Sequence, residues 1–149
     1  MFEILILSII LGMSIIFGVA LAALVVVHPI LLTVSRQTAI EFFKPFFHRT
    51  HILVLSLSLV VTILALVASF VSSNWWWFGI ALIMHINGPY TYLRMMPTNN
   101  RLMADDIDVD SEQTRNDLNK WGRLHAVRTM INGIVFIGFV VLALYSSVR

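Results

Sequence analysis

Residues 52–71 read ILVLSLSLVVTILALVASFV and contain no charged side chain. A helix that crosses a bilayer needs about 20 mostly apolar residues, so this stretch is long enough to be one. Residues 4–32 and 75–93 are also free of Asp, Glu, Lys and Arg, and residues 124–145 contain only Arg128. These four stretches predict an all-α, integral membrane four-helix bundle.

The composition of the chain supports this prediction. Hydrophobic residues make up 58% of the chain, charged residues 12%, and the mean hydropathy is +0.86. Soluble domains are about 45–50% apolar and about 25% charged, so a water-soluble monomer and a disordered chain are excluded. The absence of cysteine excludes disulfides and thiolate chemistry. The net charge is only +2, so we expect the chain to associate with a lipid bilayer and not with a nucleic acid. We expect residues 1–149 to form a single domain.

Lys and Arg residues mark two of the connections between the predicted spans. Residues 33–51 hold three and residues 94–123 hold five, whereas the opposite side holds only Arg149. Because basic loops stay in the cytoplasm, we expect a multi-pass protein with both termini on the non-cytoplasmic side. The tryptophans Trp75–Trp77 would then lie at the outer interface. The first stretch is too long for a signal peptide, so we expect it to be retained.

Small residues recur about every four positions on two of the spans. They are Ser14, Gly18 and Ala22 on the first span, and Ser58, Thr62, Ala65 and Ser69 on the second. Such stripes let helices approach closely in lipid. We expect them at helix contacts within the chain, with a homo-oligomer seam as the alternative.

The two basic connections differ in character. Phe42, Phe43, Phe46 and Phe47 lie in the first, and an aromatic and basic segment beside a membrane commonly lies in the interface plane. We predict an anchor there, with a lid over an apolar ligand as the alternative. The second connection is acidic and predicts a solvated loop. Its pattern turns helical from Ser111, with Asp110 as the cap, and the helix is expected to continue into the last span.

The last span carries the sharpest polar pattern. Trp121, His125, Arg128 and Asn132 are spaced by four, three and four residues, which places them on one helix face. Ionisable groups in a membrane are costly and usually mark function. We therefore predict a polar wall that lines a pocket between the helices. The alternative is that Arg128 snorkels to the headgroups.

The third span shows a second polar group. His85, Asn87 and Tyr90 lie around the Gly88–Pro89 pair. Proline removes a helix hydrogen bond, so we expect the helix to kink or break here and to free the carbonyls near His85 and Ile86. Broken backbone at this depth is tolerated where it lines a cavity, which predicts that these residues reach the same pocket.

Histidines lie toward the cytoplasmic end of every span. They are His28, His48, His51, His85 and His125. Imidazoles from facing helices hold haem or metal ions in other bundles. However, no Glu-x-x-His pair and no deep acidic residue accompanies them. We expect no cofactor and no metal ligand, with haem or a histidine-bound metal as the alternative.

The second half of the chain resembles a known family. Residues 96–102, MPTNNRL, and residues 118–129, LNKWGRLHAVRT, are similar to the pattern of anthrone oxygenase-like proteins. The shared positions are Pro97, Asn99, Trp121, His125 and Arg128. Members are small four-helix membrane proteins, and some resemble noranthrone monooxygenases.

The resemblance implies a cofactor-independent oxygenase that acts on a hydrophobic aromatic, anthrone- or quinone-like compound. A histidine would remove a proton and an arginine would stabilise the resulting oxyanion. On this basis we expect catalytic roles for His125, Arg128 and His85. We expect substrate contacts from Trp121, Asn132, Asn87, Asn99 and Tyr90. The alternative is a non-enzymatic membrane subunit that binds lipid, quinone or haem, or assembles with a larger complex.

Overall fold

The structure, a computed structural model, describes residues 2–147 and their side chains as far as residue 146. Within this part the chain is helical and has no strand, which confirms the predicted all-α class. Arg149, the basic residue expected on the non-cytoplasmic side, lies outside the described residues.

Four helical rods form the bundle, and the third rod is broken. The helices are α1 (Phe2–Thr33), α2 (Arg36–Ser72), α3 (Trp76–Met84), α4 (87–102) and α5 (Glu112–Ser147). By length and composition, α1, α2 and α5 can each cross a membrane. The third predicted span is divided between α3 and α4 by a turn at His85 and Ile86.

The helices close a ring around the interior. α1 packs against α2 and α5, and α3 packs against the same two helices. A tight turn joins α2 to α3, because Ser73 has a left-handed backbone with φ 53° and the Asn74 side chain accepts a hydrogen bond from Trp76 N. The ring therefore places α1 and the broken rod on opposite sides of the interior.

An apolar core fills the end of the bundle near this turn. We call it the Trp77 cluster, and its central members are Ile9, Met13, Val61, Trp77 and Phe139. The Trp77 and Phe139 rings stack with centroids 6.1 Å apart, and both side chains are fully buried. This close packing holds all four rods together.

The small-residue stripes are only partly used inside the chain. Ser58 and Ser69 of α2 are buried as expected, but Gly18 and Ala22 of α1 are exposed. The prediction was wrong for α1 because its apolar residues are all alike in hydropathy, so the spacing of small residues did not identify the buried face. The close approach of α1 to α2 instead occurs at Gly12, where an added Cβ would lie 2.7 Å from Val61.

Three prolines disturb the helices at the opposite end. A π-helical turn, Ala23–Val27, comes just before Pro29, and another, Thr91–Met95, comes just before Pro97. In both cases the residue before the proline donates its N–H five residues back, and proline itself cannot donate. Before Pro89 the helix breaks instead.

The expected break in the third rod occurs, but its carbonyls are not freed. Gly88 N donates to the His85 carbonyl at 3.0 Å, and Tyr90 N donates to the Ile86 carbonyl at 3.2 Å. A tighter turn thus replaces the bond that Pro89 cannot make. That part of the prediction was wrong because the chain has a local alternative to an unpaired carbonyl.

The aromatic segment of the first connection also differs from the expectation. It belongs to α2, which runs without interruption through Pro45, so it is collinear with the apolar part of that helix. Phe43 is fully buried, and its ring meets Trp121 edge-on with centroids 5.4 Å apart. We call this core the Trp121 cluster, and its central members are Phe43, Met95, Leu102, Leu118 and Trp121.

The acidic connection is tied to the helices at several points. Ser111, not Asp110, caps α5, because its hydroxyl accepts a hydrogen bond from Thr114 N at 3.2 Å. Asp117 receives two hydrogen bonds from the Arg101 guanidinium, at 2.6 and 2.7 Å. The helix then continues through Trp121 into the last span, as predicted.

Candidate functional site

The four polar residues of α5 lie on one face, as their spacing predicted. Trp121, His125, Arg128 and Asn132 all line a cavity of about 30 Å³ between α1, α2 and α5. Ala20 and Ala23 of α1 form its opposite wall. We call this cavity the small chamber.

A second and much larger cavity lies between α2 and the broken rod. Its volume is about 390 Å³, and we call it the large cavity. Four of the predicted site residues line it: His85, Asn87, Arg128 and Asn132. The two cavities adjoin at a shared wall, formed by the four residues that border both: His51, Val54, Arg128 and Asn132.

Arg128 is a cation without a counter-ion in this wall. It makes no hydrogen bond or ion pair with any residue of the described chain, and its Nε is buried without a partner. The Arg128 side chain is half-buried and borders both cavities. A half-buried guanidinium without a counter-ion attracts an anionic or strongly polar oxygen.

His125 has a defined tautomer. Its Nε2 lies 3.1 Å from the Ala20 carbonyl oxygen, which can only accept, so Nε2 carries the proton. Its Nδ1 is therefore the unprotonated nitrogen of the neutral ring, and it is buried without a partner. The imidazole stacks on Trp121 with ring centroids 4.8 Å apart, and this packing fixes its orientation.

His85 is oriented in a similar way on the broken rod. Its Nε2 lies 2.8 Å from the Thr62 hydroxyl, which gives its own proton to the Ser58 carbonyl at 2.7 Å. The hydroxyl must then accept from His85, so Nε2 carries the proton and Nδ1 is free to accept one. The His85 side chain is exposed at the edge of the large cavity.

A pair of amides connects the broken rod to α5. Asn87 Nδ2 donates to Asn132 Oδ1 at 2.8 Å, and Asn132 is 2% exposed. This contact leaves the Nδ2 group of Asn132 as a donor beside Arg128. Together these side chains form a polar wall of the large cavity.

Three predicted substrate contacts fall elsewhere. Trp121 lines the small chamber and stacks on His125, so it does not face the large cavity. The Tyr90 hydroxyl donates to the Leu124 carbonyl at 3.1 Å, and Asn99 is fully buried with its Nδ2 3.9 Å from Met96 Sδ. Tyr90 and Asn99 line neither cavity and support α4 against its neighbours.

Two site residues were missed by the sequence analysis. His51 lines both cavities and stacks on Phe47, with ring centroids 5.6 Å apart. Thr129 places its hydroxyl 3.2 Å from the Ala20 carbonyl that also binds His125. Thr129 could have been found from the sequence, because it follows His125 by one helical turn and therefore lies on the same face of α5. His51 had no such signal, because its position depends on the path of α2.

The five histidines do not converge on one point. His28 bonds the Leu118 carbonyl at 3.2 Å, and His48 is exposed on α2. Over residues 2–147, no three His, Asp or Glu side chains form a cluster that could hold a metal ion.

The fold and the site together define a helical bundle with membrane-length helices and a polar, cationic interior. Residues 43–138 match the family model described as anthrone oxygenase, and this match covers the broken rod and most of α2 and α5. The chain belongs to this family. No curated protein and no solved structure matches it.

Proposed function

We propose that this chain is a membrane-embedded, cofactor-independent oxygenase that acts on a hydrophobic aromatic compound of the anthrone or quinone-like class. The main support for this proposal is Arg128, a cation without a counter-ion on the wall of a ligand-sized cavity. A preorganised charge in a site of low dielectric stabilises an oxyanion strongly. Family membership supports the oxygenase chemistry.

The large cavity suits a flat apolar substrate. Its volume of about 390 Å³ lies within the range of about 300–1,000 Å³ that is typical of small-molecule sites. Leu55 and Tyr92 border it and are 60% and 75% exposed, so its mouth lies on the outer surface of α2 and α4. In a bilayer this surface contacts acyl chains, and a poorly soluble substrate would enter from the lipid.

The proposed reaction begins with loss of a proton from the methylene of the substrate. His85 Nδ1 accepts this proton, since the opposite nitrogen is bound to Thr62. The electron pair moves to the ketone oxygen, where Arg128 and the Nδ2 group of Asn132 stabilise the negative charge. The electron-rich carbanion can reduce dioxygen directly, so the step requires no metal or flavin. Overall, one methylene and one dioxygen give one ketone and one water.

Two substitutions test the proposal. In lipid nanodiscs with anthrone as substrate, we expect His85→Ala and Arg128→Met each to lower dioxygen uptake above the uncatalysed background by about 10²–10³-fold. His48→Ala and Arg123→Met are matched controls, because both side chains are exposed, and they should leave uptake unchanged. Equal uptake by all four variants would contradict the proposal.

The alternative function, a subunit that holds a lipid or quinone without converting it, uses the same open cavity. Binding of anthrone without dioxygen uptake, measured by quenching of protein fluorescence, would support that alternative and overturn the oxygenase proposal. A haem absorption band in the purified protein would contradict the cofactor-free mechanism.

We also propose that the four rods cross the membrane with both termini on the non-cytoplasmic side. The support is the concentration of Lys and Arg in residues 33–51 and 94–123. Since the chain has no cysteine, single-cysteine variants give a clean test. In intact cells an impermeant maleimide should label Ser73→Cys and not Asp106→Cys, and the reverse pattern would invert the topology.

A further inference from the structure

Three residues that line the small chamber each carry a buried nitrogen without a partner. These atoms are Trp121 Nε1, His125 Nδ1 and Arg128 Nε. Trp121 and His125 are only 3% and 7% exposed, so bulk water does not satisfy them. Buried polar atoms in native proteins are nearly always paired, and a small polar molecule in the chamber would supply the partners that these three atoms lack.

The size of the chamber restricts that molecule. A volume of about 30 Å³ holds one or two water-sized molecules, and it is far too small for an aromatic ring. Val19, Ala20 and Ala23 provide an apolar lining on the α1 side, which suits a neutral molecule on arrival. The chamber adjoins the large cavity through the shared wall of Arg128 and Asn132.

The unpartnered atoms also restrict which hydrogen-bonding groups a molecule in the chamber can carry. Trp121 Nε1 and Arg128 Nε are N–H donors, whereas His125 Nδ1 is an acceptor, because its other nitrogen donates to the Ala20 carbonyl. A terminal hydroperoxide group, with one O–H and free lone pairs, complements two donors and one acceptor. Dioxygen becomes such a group when a carbanion adds to it.

We propose that the small chamber is the dioxygen subsite of this protein, and that it holds the hydroperoxide group of the intermediate while the aromatic part stays in the large cavity. This inference rests on the proposed function. In the first step the methylene loses a proton, its carbon forms a C–O bond with dioxygen, and the terminal oxygen gains a proton. In the second step His85 Nδ1 takes the remaining C–H proton, the C–H electron pair forms the second bond of the ketone, and the O–O bond breaks. The departing hydroxide then takes a proton and leaves as water.

In this arrangement Trp121, His125 and Arg128 each form a hydrogen bond with the hydroperoxide group. The O–H of the hydroperoxide donates to His125 Nδ1, and its terminal oxygen accepts from Trp121 Nε1 and Arg128 Nε. The oxygen atom that leaves as water therefore receives its hydrogen bonds before the O–O bond breaks.

Two substitutions, each of which fills one of the two cavities, test whether the small chamber is the dioxygen subsite. The measured quantities are the KM for dioxygen and the KM for anthrone. Ala23 borders only the small chamber and Ser58 borders only the large cavity. We expect Ala23→Val to raise KM for dioxygen about tenfold and to leave KM for anthrone unchanged, since added methyl groups fill the chamber. Ser58→Val should do the opposite, and Ala22→Val, on the exposed side of α1, should change neither constant.

Three other outcomes of these experiments would overturn the inference or the proposed function. A folded Ala23→Val variant with an unchanged KM for dioxygen would show that the chamber holds only structural water, and would overturn the inference while the oxygenase proposal stands. If Ala23→Val does not fold, Trp121→Phe decides, because it removes the indole N–H and keeps an aromatic ring at this position. We expect it to lower kcat about tenfold with both KM values unchanged, and an unchanged kcat would overturn the inference. Absence of dioxygen uptake by the unaltered protein would overturn both proposals.

Discussion

The two ends of the bundle are built in different ways. Around the Trp77 cluster the helices are regular and the core side chains are apolar. Around the Trp121 cluster lie two π-helical turns, a helix break and the small chamber, and the large cavity lies between the two clusters, since Ile16 and Met84 also line it. Of the buried polar atoms without partners in residues 2–147, Trp77 Nε1 alone belongs to the Trp77 cluster.

This difference separates stability from function within one small protein. Packing in the Trp77 cluster fixes the distances between the rods. The rods can then tolerate unpaired polar groups and a half-buried cation at the other end, where we propose that these groups bind a ligand. Substitutions in the Trp77 cluster should accordingly lower the free energy of unfolding the most, whereas substitutions of the polar residues that line the cavities should mainly lower activity.

The largest loss of unfolding free energy is expected from a substitution in the Trp77 cluster. Phe139→Ala removes a fully buried ring that stacks on Trp77, and we expect it to lower the free energy of unfolding by about 3 kcal/mol or more. Unfolding in an SDS titration, followed by tryptophan fluorescence, measures this loss. Ile137→Ala on the exposed side of the same helix is the control, and a loss as large as that of Phe139→Ala would contradict the comparison.

A smaller effect is expected where the Trp121 end is packed most closely. At Gly122 an added Cβ would collide with the imidazole ring of His28, so Gly122→Ala must displace the ring from the Leu118 carbonyl. We expect the variant to lose about 1–3 kcal/mol of unfolding free energy. The same change at Gly18 meets no atom within 4 Å and should stabilise α1 slightly. Equal unfolding midpoints for the two variants would show that the His28 contact is unimportant.

The smallest effect concerns the polar start of α5, before its apolar part begins. Hydrogen bonds from the Arg101 guanidinium hold the pKa of Asp117 below its usual range. A carboxylate with a lowered folded-state pKa stabilises the fold above its unfolded pKa of about 3.9, and this stabilisation is lost as the pH falls through the folded value. The unfolding midpoint should therefore drop in acid, and Asp117→Asn should flatten the drop.

Asp105 provides the matched control for this pH dependence. It also pairs with a cation, Lys44, but both side chains are exposed, at 93% and 59%. Exposed ion pairs contribute little to stability because water screens them. Asp105→Asn should leave the acid profile unchanged, and a flattened profile would assign the pH dependence to the loop instead of Asp117.

The fold class and one face of the site could be predicted from the sequence. Long uncharged stretches require helices in a membrane, because a spanning segment must satisfy its own backbone hydrogen bonds. The spacing of Trp121, His125, Arg128 and Asn132 placed them on one side of α5, since helical periodicity is a local property. Proline chemistry likewise indicated that the third rod would not be a regular helix.

Other features depended on contacts between distant segments. The spacing of small residues did not reveal which face of α1 is buried, because every face of that helix is apolar. The position of His51 between two cavities, and the absence of Trp121 from the large cavity, follow from how α1 and α3 hold α2 and α5 on opposite sides of the ring. No local pattern encodes such an arrangement.

By itself, then, the sequence determined that four apolar rods would form and that a cation would lie among them without an acidic residue nearby. Only the tertiary structure decided that this cation would lie where two cavities of very different size adjoin. The reason is that secondary structure and burial follow from neighbouring residues along the chain, whereas cavities are what remains after helices from distant parts of the chain have packed.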